Sequence, residues 1–234
     1  PHPAVLRTTA AGTIARYTIS VMDISWYGQA CFTLKGKEAT VAIDPFADIG
    51  LKEPKLEADI LLVSHDHFDH NNVGAVKGDP YVIDVPGEYE SHSVMVEGIL
   101  TYHDDKDGTD RGTNTIFSLQ LDGIHFVHAG DIGHKLSDEV VERIGDVDVL
   151  FIPVGGHFTV DAKGAAEIVK QLQPRITVPM HYQVPGLKLK ELAGVDKFLK
   201  EVGAKVKKLD KRTWKLKPAD LPEQDSEVVV FPNP

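Results

Sequence analysis

At 234 residues the chain is long enough for one large domain or two small ones. Apolar residues make up 42% and charged residues 26%, the balance of an ordinary globular protein, and no apolar run approaches the ~18 residues of a membrane-spanning helix. The net charge of −10 disfavours a nucleic-acid partner, because phosphate binding wants a basic face.

Residues 1–21 carry Arg7 and Arg16 but no compact apolar segment or cleavage site, and are read as an N-terminal extension or upstream remnant. Residues 22–234 are read as one domain. Thr18–Met22 and Trp26–Leu34 are rich in β-formers. The lone Cys31 excludes an intramolecular disulfide, reads as a buried structural thiol and fits a reducing, cytoplasmic setting. Gly36-Lys37 turns the chain into Ala39–Ile43, which ends at Asp44-Pro45. Ile60–Val63 is a short apolar strand, and Tyr81–Val85 another. Thr115–Leu121 and Ile124–Val127 flank Asp122-Gly123, a tight-hairpin signal.

The second half alternates. Ser137 is placed to cap a helix through Ile144, with Asp138 and Glu139 in its first turn. Val147–Pro153 reads as a buried strand, and Asp161 caps a helix over Ala162–Leu172 that Pro174 stops. Ile176–Val178 is a strand, Leu189–Val202 a helix closed by Gly203, and Val206–Leu216 a final hairpin. Strands first and alternation afterwards predict a sandwich with two sheets inside and helices outside. Lys197–Lys217 holds nine Lys/Arg against Glu201 and Asp210, and reads as a solvated helix face with a lysine-protected edge strand. No exposed apolar stripe stands out, and oligomeric state is not legible.

Directly after Ile60–Val63 come His65, His67, Asp69 and His70. In extended geometry His65 and His67 point the same way, and Asp69 and His70 face back on the next turn. Four metal-ligand side chains in six residues point to a metal site.

This run, His65-x-His67-x-Asp69-His70, resembles the HxHxDH signature of the metallo-β-lactamase superfamily. Asp44 resembles that family's acid that orients metal histidines, Asp131 its metal-bridging aspartate, and His181 in Pro179-Met180-His181-Tyr182 its last histidine ligand. His103 fits the third histidine's strand-end position. His128 is the alternative, better read as a buried supporting histidine. The stretches Trp26–Phe32, Arg111–Thr115, Gly130–His134 and Pro153–Asp161 resemble the short stand-alone hydrolases related to L-ascorbate-6-phosphate lactonase.

The resemblance implies an αββα sandwich of two mixed sheets and two divalent cations, with zinc favoured and manganese or iron as alternatives. One site would take His65, His67 and His103, the other Asp69, His70 and His181, with Asp131 shared. A hydroxide held between the metals would be the nucleophile, oriented by Asp69. His134 would donate a proton or contact substrate, with helix capping the equal alternative. Arg111 would clamp an anionic substrate or pair with Asp104, Asp105 or Asp107. Gly155-Gly156 would let the backbone approach the pocket. His157 receives no role, and Thr159 and Asp161 read as caps.

The implied activity is hydrolysis of a small anionic ester-like substrate, a lactone or phosphodiester. The alternative is nucleic-acid processing, which the basic Lys197–Lys217 segment would serve. A secreted zinc β-lactamase would want a cysteine at the second metal, a flavodiiron protein a glutamate at His67, and a glyoxalase-type thioesterase more chain after His181.

Overall fold

The computed structural model describes residues 21–234, so the expected extension over residues 1–21 lies outside the described residues except for Val21. The strands are β1 (Met22–Gly28), β2 (Cys31–Lys35), β3 (Thr40–Ile43), β4 (Leu56–Glu57), β5 (Ile60–Leu62), β6 (Val76–Lys77), β7 (Tyr81–Ile83) and β8 (Gly87–Ser91). They continue as β9 (Val94–Tyr102), β10 (Thr113–Leu121), β11 (Ile124–His128), β12 (Val149–Pro153), β13 (Ile176–Met180), β14 (Lys205–Lys208), β15 (Thr213–Leu216) and β16 (Glu227–Val230). Three α-helices are interspersed: α1 (Asp138–Ile144), α2 (Ala162–Leu172) and α3 (Asp196–Val202).

One sheet runs β15-β1-β2-β3-β5-β7 and the other β14-β16-β13-β12-β11-β10-β9-β8, with β4 and β6 forming a separate pair. Both large sheets are mixed. β3-β5-β7 is parallel beside the antiparallel β15-β1-β2-β3. In the second sheet β8 to β11 are antiparallel, and β11 through β12, β13 and β16 to β14 are parallel. The expected sandwich of two mixed sheets is therefore present. Its inner faces meet at Phe32 on β2 and Phe151 on β12, whose ring centroids are 4.5 Å apart. Aromatic rings carry more apolar area than other side chains, which suits them to the space between sheets.

Local chemistry explains the helices. The Ser137 hydroxyl accepts the Val140 N–H and the Asp161 carboxylate accepts the Gly164 N–H, so both expected caps are formed. The buried residues of α2 recur at helical spacing, among them Ala162, Ala165, Ala166, Val169 and Leu172. At the hairpin between β10 and β11, Asp122 and Gly123 have φ of 50° and 79°, the positive values the Asp-Gly pair predicts.

Two expectations are corrected. The helix expected over Leu189–Val202 is only Asp196–Val202. The backbone upstream bonds elsewhere: the Ala193 N–H donates to the Gly155 carbonyl at 2.8 Å, and the Lys188 N–H to the Ile49 carbonyl at 2.8 Å. Leu187 and Leu192 are buried by that arrangement, so tertiary pairing overrides the helical spacing. The hairpin expected over Val206–Leu216 does not form, because β14 joins one large sheet and β15 the other. Each is a lysine-bearing edge, as expected for edge protection. One hairpin, β8–β9, is absent from the sequence-based expectations. It turns at His92 and Ser93, whose φ values of 52° and 61° no sequence signal announces.

Candidate metal centre

The site lies where strand ends from both sheets converge. Asp44 follows β3, and Ser64 and the histidine run follow its parallel neighbour β5. His103 follows β9, Asp131 lies just past β11 and His181 just past β13, three strands of the second sheet that run in one direction. Ligand sites at the carboxyl ends of parallel strands are general in such sheets, because the chain leaves the sheet there as loops.

The histidine run is not extended. The His67 N–H bonds the His65 carbonyl, and the His70 and Asn71 N–H groups bond the His67 carbonyl, so the run closes into turns. The expected extended geometry of His65 and His67 is thus replaced by a coil that brings four side chains to one spot. The His65 ring centroid lies 4.6 Å from that of His67, 4.2 Å from His70 and 4.7 Å from His103. Three donor sets emerge: His65, His67 and His103; His65, His70 and Asp131; and Asp69, His70 and His181. Within each set the donor atoms lie within 4.8 Å of one another.

Asp44 fixes two of the imidazoles. Its fully buried carboxylate accepts the Ser64 N–H at 2.7 Å, the Ser64 hydroxyl at 2.7 Å and the His70 Nδ1–H at 3.0 Å. Because the Ser64 proton points to Asp44, its oxygen is left to accept the His65 Nδ1–H at 2.9 Å. His65 therefore carries its proton on Nδ1 and directs a bare Nε2 away from Asp44, while His70 gives its Nδ1–H to Asp44 and turns Nε2 toward Asp69 and Asp131. Outer hydrogen bonds of this kind set tautomer and ring orientation at metal sites.

Asp131 sits between the donor sets. Its Oδ2 is 3.0 Å from His181 Nε2, 3.3 Å from His103 Nε2 and 3.4 Å from His70 Nε2. Asn114 holds the turn beneath it: its Oδ1 accepts the Asp131 N–H at 2.8 Å, and its Nδ2 donates to Thr101 and to the Ala129 carbonyl. Gly130 has a φ of 55°, and a Cβ there would lie 2.2 Å from Asn114 Oδ1, so only glycine fits. A Cβ on Gly155 would lie 2.2 Å from the His181 carbonyl, the close backbone approach expected of that glycine pair.

Gln29, like Asn114, supports the centre without any local sign of it in the sequence. Gln29 is fully buried at a φ of 51°, and its Nε2 donates to Asp69 Oδ2 at 2.7 Å. Its carbonyl accepts the Trp26 indole N–H and the His181 N–H. The only cue was its place in the stretch Trp26–Phe32.

The electrostatics divide the histidines. Burial, reinforced by His70, pushes the His65 imidazole down to about 2, which keeps its lone pair free. Burial also lowers His67, with His103 adding to the shift. At His70 burial acts downward, but Asp131 and Asp69 outweigh it and raise the imidazole well above its usual value. Asp131 is pushed up by burial, yet His181 and His70 hold it well below the usual carboxylate range. The centre is thus a concentration of negative charge that favours a cation.

The secondary candidates separate. His128 donates Nε2–H to the Ala30 carbonyl at 2.9 Å and accepts the Gly130 N–H on Nδ1, so neither ring nitrogen is free. His134 accepts the Tyr102 N–H on Nε2 at 3.2 Å and donates Nδ1–H to the Lys135 carbonyl at 2.7 Å. In this geometry both ring nitrogens are engaged, and His134 braces the backbone beside His103. Cys31 is fully buried, and burial with the nearby Asp44 charge keeps its thiol protonated. Arg111 forms none of the expected ion pairs among the described residues. It lines a cavity of about 220 Å³ over the centre, together with Phe68, Phe158 and Leu189.

No helix among the described residues is long and apolar enough to cross a membrane. The chain matches the Beta-lactamase superfamily domain over residues 23–181, a span that holds every residue of the centre from Asp44 to His181. It is 32% identical over 189 residues to a UPF0173 metal-dependent hydrolase of Thermoplasma volcanium, covering 69% of this chain and 83% of that one. A crystal structure described as a Zn-dependent hydrolase of the metallo-beta-lactamase superfamily from Thermotoga maritima is 36% identical. It covers 90% of this chain and 98% of its own, with a TM-score of 0.75. The metallo hydrolase Igni18 of Ignicoccus hospitalis shares the fold at 21% identity and a TM-score of 0.64, over 84% of this chain and 98% of its own. With that match and these relatives set beside the convergent histidines and carboxylates, the chain belongs to the beta-lactamase superfamily and is one of its metal-dependent hydrolases.

Proposed function

We propose that the centre holds two divalent cations, one on His65, His67 and His103 and one on Asp69, His70 and His181, with Asp131 between them. The observation that carries this reading is the set of buried donors with no hydrogen-bond partner in the protein: His65 Nε2, His70 Nε2 and Asp131 Oδ1. Buried polar atoms are nearly always paired, and these three residues form one of the convergent donor sets, which a cation would satisfy. The cysteine-free His/Asp donors suit Zn²⁺, with Mn²⁺ and Fe²⁺ as alternatives. The T. maritima relative is itself described as Zn-dependent.

The substrate we assign is a small anionic molecule with an ester-like bond, a lactone or a phosphodiester. Bound cations supply Lewis acidity and activate water for attack. The chain's own residues do the rest. Gln29 commits one oxygen of Asp69, so that carboxylate keeps a fixed orientation and a second oxygen to orient a water proton. Phe68, Phe158 and Leu189 form the apolar part of the cavity wall, against which the uncharged part of a substrate would pack.

Elemental analysis of protein loaded with Zn²⁺ or Mn²⁺, coupled to a panel of lactones, phosphodiesters and thioesters, tests the reading. About two metal equivalents per chain and turnover lost in Asp131→Asn are expected. Fewer than one equivalent after loading overturns it.

A further inference from the structure

Arg111 stands in a loop crowded with acids, yet its guanidinium pairs with none of them. Asp104, whose carboxylate accepts the Arg111 backbone N–H, has both of its oxygens already used. Oδ1 accepts the N–H groups of Lys106 at 2.8 Å and Gly108 at 2.9 Å, and Oδ2 those of Asp110 at 3.0 Å and Arg111 at 2.7 Å. One carboxylate thus templates the whole loop through four backbone donors. Asp110 is occupied by Lys106 at 2.6 Å. The loop is tied to the centre, because the His103 N–H bonds the Gly112 carbonyl at 3.0 Å.

This loop directs the Arg111 side chain across the cavity. Its guanidinium carbon lies over the Phe158 ring, 5.0 Å from the centroid, a cation–π contact. One nitrogen is 3.4 Å from the His157 carbonyl, the sole hydrogen bond of the guanidinium among the described residues. Most of its N–H donors are therefore uncommitted. Outside the histidines and carboxylates of the centre, Arg111 is the one charged side chain lining the cavity, and its remaining walls are apolar.

We infer that Arg111 is the substrate-anion site: its fork binds an oxyanion, carboxylate or phosphate, on the part of the substrate remote from the bond that is cleaved, with Phe158 backing the guanidinium plane. The inference rests on the proposed hydrolytic reading for what is cleaved, but the anion site stands on its own geometry. Planar bidentate recognition of an oxyanion is what a guanidinium provides and an ammonium does not.

The test has two readouts. In Zn²⁺-loaded protein labelled with ¹⁵N-arginine, the Arg111 Nε–Hε signal, assigned by its loss in Arg111→Gln, is followed while succinate or inorganic phosphate is added. A saturable shift with succinate identifies a carboxylate site, and one with phosphate a phosphate site. No shift with either, including phosphate bound only at the cations, overturns the inference. The second readout compares two p-nitrophenyl esters, the butyrate and the anionic hydrogen glutarate. Arg111→Gln and Arg111→Lys should each lower the glutarate-to-butyrate ratio of kcat/KM by about tenfold or more. Lys170→Gln, which removes a surface cation of α2 away from the cavity, should keep the wild-type ratio. An unchanged ratio in Arg111→Gln, or full rescue by lysine, overturns the inference. Should Asp131→Asn retain turnover while the Arg111 signal still shifts, the metal reading falls and the anion site stands.

Discussion

Gln29 and Asp69 are joined by a 2.7 Å hydrogen bond across forty positions of sequence, and the same glutamine receives the His181 N–H on its carbonyl. One residue therefore fixes the orientation of one proposed ligand and the backbone of another. The left-handed backbone at Gln29 aims carbonyl and side chain together at the centre. Gln29→Glu keeps the shape but faces Asp69 with a second acceptor. Both metal affinity, measured by competition with a chelator, and kcat should fall by roughly 10- to 100-fold, the usual cost of losing an outer partner of a ligand. Unchanged affinity would remove Gln29 from the site's support.

Asp44 carries a heavier duty, because it sets both the His70 tautomer and, through Ser64, that of His65. Asp44→Asn puts an amide among three donors and breaks that order. Metal affinity should drop by at least the same 10- to 100-fold. Ser64→Ala, which disturbs His65 alone, should cost less. Isothermal titration with Zn²⁺ ranks the two, and the reverse order would refute the Asp44 relay.

These residues show what was legible in the sequence. His65, His67, Asp69 and His70 are contiguous and chemically conspicuous, so their cluster could be read directly. His103, Asp131 and His181 lie on distant strand ends and were reached only through resemblance to a family. Gln29 and Asn114 are ordinary polar residues whose roles exist only once the sheets pack, since their partners lie 40 and 17 positions away. The caps at Ser137 and Asp161 were legible because capping is local. The segment 189–195 was not, because the Ala193 N–H donates to the Gly155 carbonyl and the Ala193 carbonyl accepts the Gln183 N–H instead of pairing along a helix.

Metal removal should affect the fold as well as the activity. A cation that binds only the native state stabilises it by about 2.7 kcal/mol at a hundred times its dissociation constant. Buried donors without partners, such as His65 Nε2 and Asp131 Oδ1, make the metal-free centre the weaker form. Chelation should lower Tm by several degrees, and added Zn²⁺ or Mn²⁺ should restore it. An unchanged melting curve would mean that these donors gain nothing from a cation.

The core can be tested independently of the chemistry. Phe32 is fully buried and packs against Phe151, Phe231 and the ring of supporting His128. Phe32→Ala should cost about 3–5 kcal/mol of stability in urea unfolding, as expected for a large buried ring. A smaller loss would mean that the two sheets close over the gap.

Asp104 offers the last prediction, since it joins loop architecture to substrate choice. Burial pushes its carboxyl up, but the N–H groups of Arg111, Lys106, Gly108 and Asp110 outweigh that and hold it below its ordinary value. A carboxylate with four backbone donors is a template for the loop, and an alanine leaves all four N–H groups to water. In Asp104→Ala the Arg111 amide should exchange with solvent at least about tenfold faster, because its hydrogen-bond acceptor is gone. The glutarate-to-butyrate ratio should fall as it does in Arg111→Gln, although Arg111 itself is untouched. Asp105→Ala, one position along, removes a similar charge without touching the template, and should keep the wild-type ratio. If Asp104→Ala keeps or raises the ratio, the template does not place the fork; if only Asp104→Ala loses anion preference, the fork is placed by the loop.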